Sequence, residues 1–258
     1  MQIFYCVLTI LLSALFGYLF GSIPNAVIIG KVFFKRDPRN EGSKNAGGTN
    51  AGRIFGLKIG VIVIILDMLK VAIPFAITFF LFTKVAFFRE LLYYSEEFNA
   101  FGRGNTLLQL AYWITPFAGV IGHCYSLFIK FSGGKAVSSY MGFAIASSWV
   151  GFVTVSLTFF PMIKIKKKVS IASLVTTSTF TVVAWIMYIV YIATGCNPSI
   201  INWIMYFGYG PEMCIYFPVF ITLSFLLLTF KHKPNIKRIK EGTEPNAYWL
   251  KEEDKKAQ

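Results

Sequence analysis

Acid, histidine and cysteine are all scarce in this chain. Twelve Asp and Glu stand against 25 Lys and Arg, and His123 and His232 are the only histidines. The four cysteines, Cys6, Cys124, Cys196 and Cys214, form no C-x-x-C pair. With so few partners no metal centre is expected, and the cysteines read as small apolar core residues. Cys196 and Cys214 flank a stretch expected outside the membrane, where a disulfide is conceivable. There is no G-x-x-x-x-G-K-[ST] phosphate loop, no internal repeat and no low-complexity segment. The missing repeat argues against transporter architectures built from duplicated halves. Charged residues of either sign make up only 14% of the chain.

Apolar residues fill that space. They are 55% of the sequence, and the mean hydropathy of +0.61 is above the range of soluble domains. A polytopic membrane protein follows. The net charge of +13 does not imply a nucleic-acid partner, because the cations lie between apolar spans. There they set topology and face anionic membrane lipids. The apolar N-terminal run lacks a basic leader and a small-residue cleavage site, so it is expected to be a first membrane helix rather than a removed signal.

A membrane helix needs roughly 20 apolar residues. Candidate spans are 3–24, 58–82, 107–129, 170–194 and 213–230. Lys and Arg number seven in 31–58, two in 130–135, four in 164–168 and eight in 231–258, against three in 83–106 and none in 195–212. The positive-inside rule puts the first four segments in the cytoplasm and the N-terminus outside. Segment 136–163 must then start and finish on one side, although its 28 residues are too few for two crossings. A pair of short helices is expected there, turning near Ser147-Ser148 or Gly151. The fold class expected is an all-α integral membrane protein, a seven-helix bundle including two short helices, with the C-terminus cytoplasmic. Residues 1–246 form a single domain and 247–258 a solvated tail. Segment 195–212 reads as an external loop, with a short interfacial helix through Trp203 and Tyr206.

Three polar clusters fall on the cytoplasmic face. The first is Glu41-Gly42-Ser43-Lys44-Asn45-Ala46-Gly47-Gly48-Thr49-Asn50-Ala51-Gly52-Arg53. Its glycines permit close backbone approach and anion nests, and Arg53 presents a fork that fits phosphate oxygens. The same residue types also make ordinary connectors. The second cluster is Gly122-His123 followed by Phe131-Ser132-Gly133-Gly134-Lys135-Ala136-Val137-Ser138-Ser139. A Gly-Gly-Lys turn entering a helix combines bare N–H groups with the positive end of the helix dipole, although it also reads as a plain turn with a topology anchor. The third runs from Lys231 to Glu244. Its spacing puts His232, Asn235 and Arg238 near one helix face if a new turn starts at Pro234, and Gly242 would end that helix. Asp67 and Lys70 add an i, i+3 pair inside an apolar span, either a structural ion pair or a cavity-lining lysine.

These residues resemble a family. Gly42-Ser43-Lys44-Asn45-Ala46-Gly47-Gly48-Thr49-Asn50, Phe131-Ser132-Gly133-Gly134-Lys135 and His232-Lys233-Pro234-Asn235-Ile236-Lys237-Arg238-Ile239 with Gly242-Thr243-Glu244 look like the three motifs of the bacterial acyl-phosphate:glycerol-3-phosphate acyltransferases. Gly21-Ser22-Ile23-Pro24 and Gly56-Leu57-Lys58-Ile59-Gly60, leading to Asp67-Met68-Leu69-Lys70, add smaller matches. The resemblance implies a seven-helix membrane enzyme of phospholipid synthesis. Such an enzyme moves a fatty acyl group from acyl phosphate to the 1-hydroxyl of sn-glycerol 3-phosphate, giving lysophosphatidic acid and phosphate. The H-x-x-x-x-D motif of acyl-carrier-dependent acyltransferases is absent, as in the family, and no cofactor is implied.

By the same resemblance, Ser43, Asn45, Thr49, Asn50 and Arg53 hold glycerol phosphate. Gly133, Gly134 and Lys135, with His123 nearby, take acyl phosphate, and Ser139 holds a position usually given to a small hydroxyl. Lys70 is a further candidate for the phosphate. His232 and Asn235, with Ser43 and Arg53, are the candidate catalytic residues, while Arg238, Gly242 and Glu244 look structural. The family usually has glycine where this chain has Lys44 and Ala136, isoleucine at Ala46, lysine at Ser132, proline at Ser126 and glycine at Val71. Because acyl phosphate is already activated, direct transfer is expected. The proton acceptor is His232, held by Asn235, or a substrate phosphate oxygen. The alternative class is a membrane transporter of a phosphorylated anion; it predicts repeats and deep polar residues in several spans, and the polar clusters lie instead at one interface.

Overall fold

The computed structural model describes residues 2–91, 106–195 and 214–247. Among these residues the chain is entirely helical: α1 Gln2–Gly21, α2 Asn25–Phe34, α3 Gly48–Phe55, α4 Leu57–Lys84, α5 Ala86–Leu91, α6 Thr106–Cys124, α7 Val137–Ser147, α8 Trp149–Lys166, α9 Val169–Thr194, α10 Tyr216–Lys231 and α11 Lys233–Lys240. Four described stretches are long and apolar enough to cross a bilayer: Phe4–Phe34, Leu57–Lys84, Trp149–Lys166 and Val169–Thr194. Exposed Leu11, Ile65, Leu157 and Ile189 cover their outer faces, as a lipid-facing surface requires.

The helices meet through small residues, because apolar area alone gives no preference for another helix over lipid. A methyl group on Gly17 would lie 2.1 Å from the Thr115 carbonyl oxygen, and one on Gly21 would lie 2.1 Å from that of Gly119. Gly122 meets the Tyr18 carbonyl in the same way, so α1 and α6 touch backbone to backbone. Gly142 does the same for α7 on α4, against Met68. Trp113 fills the centre, its ring 5.1 Å from Phe75 and 5.1 Å from Phe217, so α4, α6 and α10 share one aromatic core. The Tyr140 hydroxyl donates to the Thr177 carbonyl at 2.9 Å and ties α7 to α9.

Three differences from the sequence expectation concern elements. The apolar stretch after Pro24 forms α2, and the second half of the first motif is helix α3 rather than loop. A small cluster of Ala26, Ala51 and Val63 packs α3 between α2 and α4. Segment 136–163 does break at Ser148, which is extended (φ −161°) and accepts a hydrogen bond from the Val150 N–H at 3.1 Å. The first half is short, 11 residues, but α8 has 18 and runs on to Lys166. Lys164 and Lys166 ride on the helix, and Lys167, in the left-handed conformation at φ +54°, ends it. Ala247, assigned to the tail, is buried, and its N–H donates to the Lys167 carbonyl at 2.7 Å. Cys196, Trp203, Tyr206 and residues 248–258 lie outside the described residues, and with them the external loop, its interfacial helix and the Cys196–Cys214 pairing.

Candidate active site

Each motif reaches the site on a different support. In the first, Asn50 organises the turn that precedes α3. Its side-chain N–H groups donate to the carbonyls of Pro38 (2.7 Å), Glu41 (3.1 Å) and Asn45 (3.1 Å), while its Oδ1 accepts from the Ser43 N–H at 2.8 Å. That leaves Asn50 almost fully used by the protein. Thr49 and Arg53, on the same helix, face the cavity together with Ser43 and Asn45. Lys44 is exposed, does not line the cavity, and sits at φ +54°.

The second motif folds back over the end of α6. The Gly133 N–H donates to the Cys124 carbonyl at 3.2 Å and the Gly134 N–H to the His123 carbonyl at 2.9 Å. These N–H groups are therefore spent within the turn, contrary to the expectation that they are bare. The glycines serve close approach instead: a Cβ on Gly134 would lie 2.0 Å from His123 Nε2, and one on Gly133 2.1 Å from the His123 carbonyl oxygen. Beyond them the chain turns through Ala136 at φ +67° into α7. Lys135 and Ser138 face the cavity. Ser139 is buried, and its hydroxyl donates back to the Ala136 carbonyl at 3.1 Å.

In the third motif the chain kinks at His232, and α11 starts with Pro234 in its first turn, where a missing N–H costs nothing. Gly242, at φ +72°, closes the helix. The His232 Nδ1–H donates to the Leu228 carbonyl at 2.9 Å, the tautomer that leaves Nε2 with its lone pair. Asn235 does not hold His232. Its amide donates to Glu244 Oε1 (2.7 Å) and to Ser170 Oγ (2.8 Å), because the buried carboxylate of Glu244 is the stronger acceptor. Arg238 Nε donates to Glu244 Oε2 at 2.8 Å, and the Ser170 hydroxyl also donates to Oε1.

These supports converge on one cavity of about 170 Å³. Of the residues singled out in the sequence, Ser43, Asn45, Thr49, Asn50, Arg53, His123, Lys135, His232 and Asn235 line it; Lys70, Gly133, Gly134 and Ser139 do not. Lys70 pairs with Asp67 at 2.9 Å and donates to the Ile23 carbonyl at 2.8 Å. Ser138, part of the second cluster in the sequence, lines the cavity too; sequence reasoning missed Ser170 and Ser173, and took Arg238 and Glu244 as structural although both reach the cavity wall. The i, i+3 spacing of Ser170 and Ser173 on an apolar helix was the available signal.

The electrostatics of the cavity favour an anion. Among the described residues, neither Arg53 nor Lys135 has a carboxylate within ion-pair distance, whereas Arg238 is neutralised by Glu244. Burial pushes the Lys135 ammonium below its ordinary pKa, and the Arg238, Arg53 and Lys231 charges add to this, while Glu244 opposes it. Burial alone would raise the Glu244 carboxyl, but hydrogen bonds from Ser170, Asn235 and Arg238 outweigh it and hold the group ionised. His232 is pushed down to about 4, chiefly by burial, so its ring is neutral at physiological pH. The apolar side chains of Ile64, Met141, Phe159 and Val169 also line the cavity.

Fold and site together define a class: a multi-pass helical membrane protein with a cation-rich cavity bordered by a hydrocarbon wall. The family model for glycerol-3-phosphate acyltransferase matches residues 11–242. The glycerol-3-phosphate acyltransferase of Latilactobacillus sakei subsp. sakei (strain 23K) is 32% identical over 228 residues, 88% of this chain and 87% of that protein. That of Ureaplasma urealyticum serovar 10 is 30% identical over 239 residues, covering 90% and 88%. Crystal structures of PlsY (YgiH), an integral membrane glycerol 3-phosphate acyltransferase, superpose at 26% identity. The glycerol 3-phosphate form gives a TM-score of 0.66 over 94% of this chain and 97% of that one, and the lysophosphatidic acid form gives 0.63 over 92% and 94%. The chain belongs to the glycerol-3-phosphate acyltransferase family.

Proposed function

We propose that this enzyme transfers a fatty acyl group from acyl phosphate to the 1-hydroxyl of sn-glycerol 3-phosphate at a cavity on the cytoplasmic face, forming lysophosphatidic acid and inorganic phosphate. The observation that carries this reading is the pair Arg53 and Lys135, which among the described residues have no carboxylate within ion-pair distance, in a cavity lined also by apolar side chains. A phosphate monoester satisfies the cations, and an acyl chain suits Ile64, Met141 and Phe159. The forms in which PlsY was crystallised, with glycerol 3-phosphate and with lysophosphatidic acid, support the acceptor and the product. The cytoplasmic placement rests on the basic segments around the cavity.

The chemistry asks little of the protein beyond placement. The acceptor hydroxyl oxygen bonds to the acyl carbonyl carbon, and the anhydride C–O bond breaks with its electron pair leaving on phosphate. The hydroxyl proton passes to His232 Nε2 or to a phosphate oxygen. Arg53 and Lys135 bear the phosphate charges, and Ser43, Thr49 and Ser138 offer hydroxyl donors. The deciding assay combines purified protein, acyl phosphate and glycerol 3-phosphate and follows phosphate release. Release should require glycerol 3-phosphate; release independent of it contradicts the transferase reading. With both substrates saturating, His232→Ala should lose about a hundredfold or more in rate if the ring takes the proton. A loss of only a few-fold assigns that role to the substrate phosphate.

A further inference from the structure

Beyond Gly242, where the match to the family model ends, the chain leaves α11 and runs to the junction of α8 and α9. Two anchors hold this segment. The first is Glu244. Its N–H donates to the Arg238 carbonyl at 3.1 Å, its buried carboxylate accepts from Asn235 and Arg238, and its carbonyl accepts from the Lys168 ammonium. The second is Ala247, which is 2% exposed and whose N–H donates to the Lys167 carbonyl at 2.7 Å. Lys167 and Lys168 are the two residues between α8 and α9, so both anchors reach the same turn of the bundle. Pro245 and Asn246 bridge the anchors. Both line the cavity and both are exposed, which places them at its mouth. The fixed φ of Pro245 stiffens the bridge.

We propose that residues 244–247 form a strap that seals the solvent side of the cavity and sets the acceptor preference, glycerol 3-phosphate over water. Acyl phosphate is an activated anhydride, and water competes for it. A water oxygen bonding to the acyl carbonyl carbon breaks the same C–O bond, whose electron pair leaves on phosphate. The products are a fatty acid and inorganic phosphate, and the displaced water proton passes to solvent. Keeping water from the carbonyl therefore decides between transfer and waste. The anchored ends hold Pro245 and Asn246 in place, and neither anchor needs a bound substrate. The acceptor preference rests on the acyl-transfer reading, whereas the anchoring can be read without any substrate, so failure of the one is distinguishable from failure of the other.

Two single substitutions loosen the strap at different ends. Lys168→Met removes the ammonium that the Glu244 carbonyl accepts from, and Ala247→Pro removes the N–H given to the Lys167 carbonyl; neither side chain lines the cavity. Purified full-length protein receives acyl phosphate with a labelled acyl chain, with and without glycerol 3-phosphate. Labelled lysophosphatidic acid and fatty acid are then counted, after subtraction of hydrolysis without enzyme. In each variant the ratio of fatty acid to lysophosphatidic acid should rise about threefold to tenfold, the worth of one lost hydrogen bond. Lys167→Met keeps the carbonyl and should leave the ratio as in wild type. Should Ala247→Pro fold poorly, Pro245→Gly/Asn246→Gly strips the bridge while keeping both anchors, and the same rise is expected. Loss of transfer with no gain in enzyme-dependent hydrolysis means that the segment only supports the fold, which overturns the proposal. Amide hydrogen exchange reads the anchor itself. The Ala247 N–H should be protected in wild type and exchange faster in Lys168→Met; exchange at the unprotected rate in wild type overturns the strap whatever the enzyme transfers. A protected Ala247 in a wild-type protein that forms no lysophosphatidic acid overturns the acyl-transfer reading instead, and the acceptor preference with it.

Discussion

Backbone conformation identifies the residues that bear strain. Among the described residues, six other than glycine have positive φ, among them Lys44 at +54° and Ala136 at +67°. Both stand where the family resemblance leads one to expect glycine, and a Cβ in this region costs about 1 kcal/mol or more. Ala136→Gly should therefore raise the unfolding midpoint in detergent, by about 0.5–1 kcal/mol in stability once the added freedom of the unfolded glycine is deducted. An equal or lower midpoint contradicts the strain argument. Ser126 is a departure with the opposite sense. Its hydroxyl donates to the Ser22 carbonyl, a bond the expected proline lacks. His232 makes a pH-dependent prediction. Its folded pKa of about 4 lies below the ordinary 6.5. Below pH 6.5 the unfolded chain takes up a proton that the folded ring refuses, so this group removes stability as pH falls from 6.5 toward 4 and has no effect above. The ratio of wild-type to His232→Gln rates, in which substrate ionisation cancels, should stay level from pH 8 to about 5. A break near 6.5 would show that the ring titrates normally.

Among the elements, legibility followed the strength of local signals. Helix α11 was readable because Pro234 marks its start and Gly242 its end. The break at Ser148 was readable from a length argument alone. Helix α2 was not: its apolar residues continue from α1 and run straight into charge, and only Pro24 marks the boundary. Helix α3 was missed because eight residues with two glycines among them and a glycine at either end look like a loop, and tertiary contacts with Val63 and Gly60 stabilise it. The α1–α6 contact also lay unremarked in the sequence, as Gly17 and Gly21 spaced four apart. Gly21→Ala should separate these helices, because its methyl would meet the Gly119 carbonyl oxygen at 2.1 Å. The expected result is loss of more than about 2 kcal/mol and poor accumulation in the membrane, read by fluorescence-detected size exclusion. Gly56→Ala provides the contrast, since no atom lies within 4 Å and only its φ of +95° resists. If both variants behave alike, backbone contact is not what joins α1 to α6.

For the whole molecule, the convergence of the site could not be read from spacing. Nothing local indicates that Asn235 reaches Glu244 and Ser170, or that the glycines of the second motif pack on His123 and do not offer N–H groups to a ligand. Those facts are set by how α6, α9 and α11 pack. The distribution of charge was readable, and it carries a prediction about the molecule in its membrane. Lys44, Lys130, Lys164 and Lys233 belong to four basic segments separated by apolar spans, and all four side chains are exposed. If the cavity opens to the cytoplasm, these positions share one face of the bilayer although up to 189 residues of sequence separate them. Each can be replaced by cysteine, one at a time, in a chain whose Cys6, Cys124, Cys196 and Cys214 have been changed to alanine or serine. A membrane-impermeant maleimide should then label all four in inside-out vesicles and none in intact spheroplasts. Labelling of any one from the outer side would place that motif on the opposite face, and the three motifs could not then meet in one cavity. The cost of moving a lysine-rich turn across the hydrocarbon, about 2.5–3.5 kcal/mol per charge on insertion scales, is what makes the one-sided outcome the expected one.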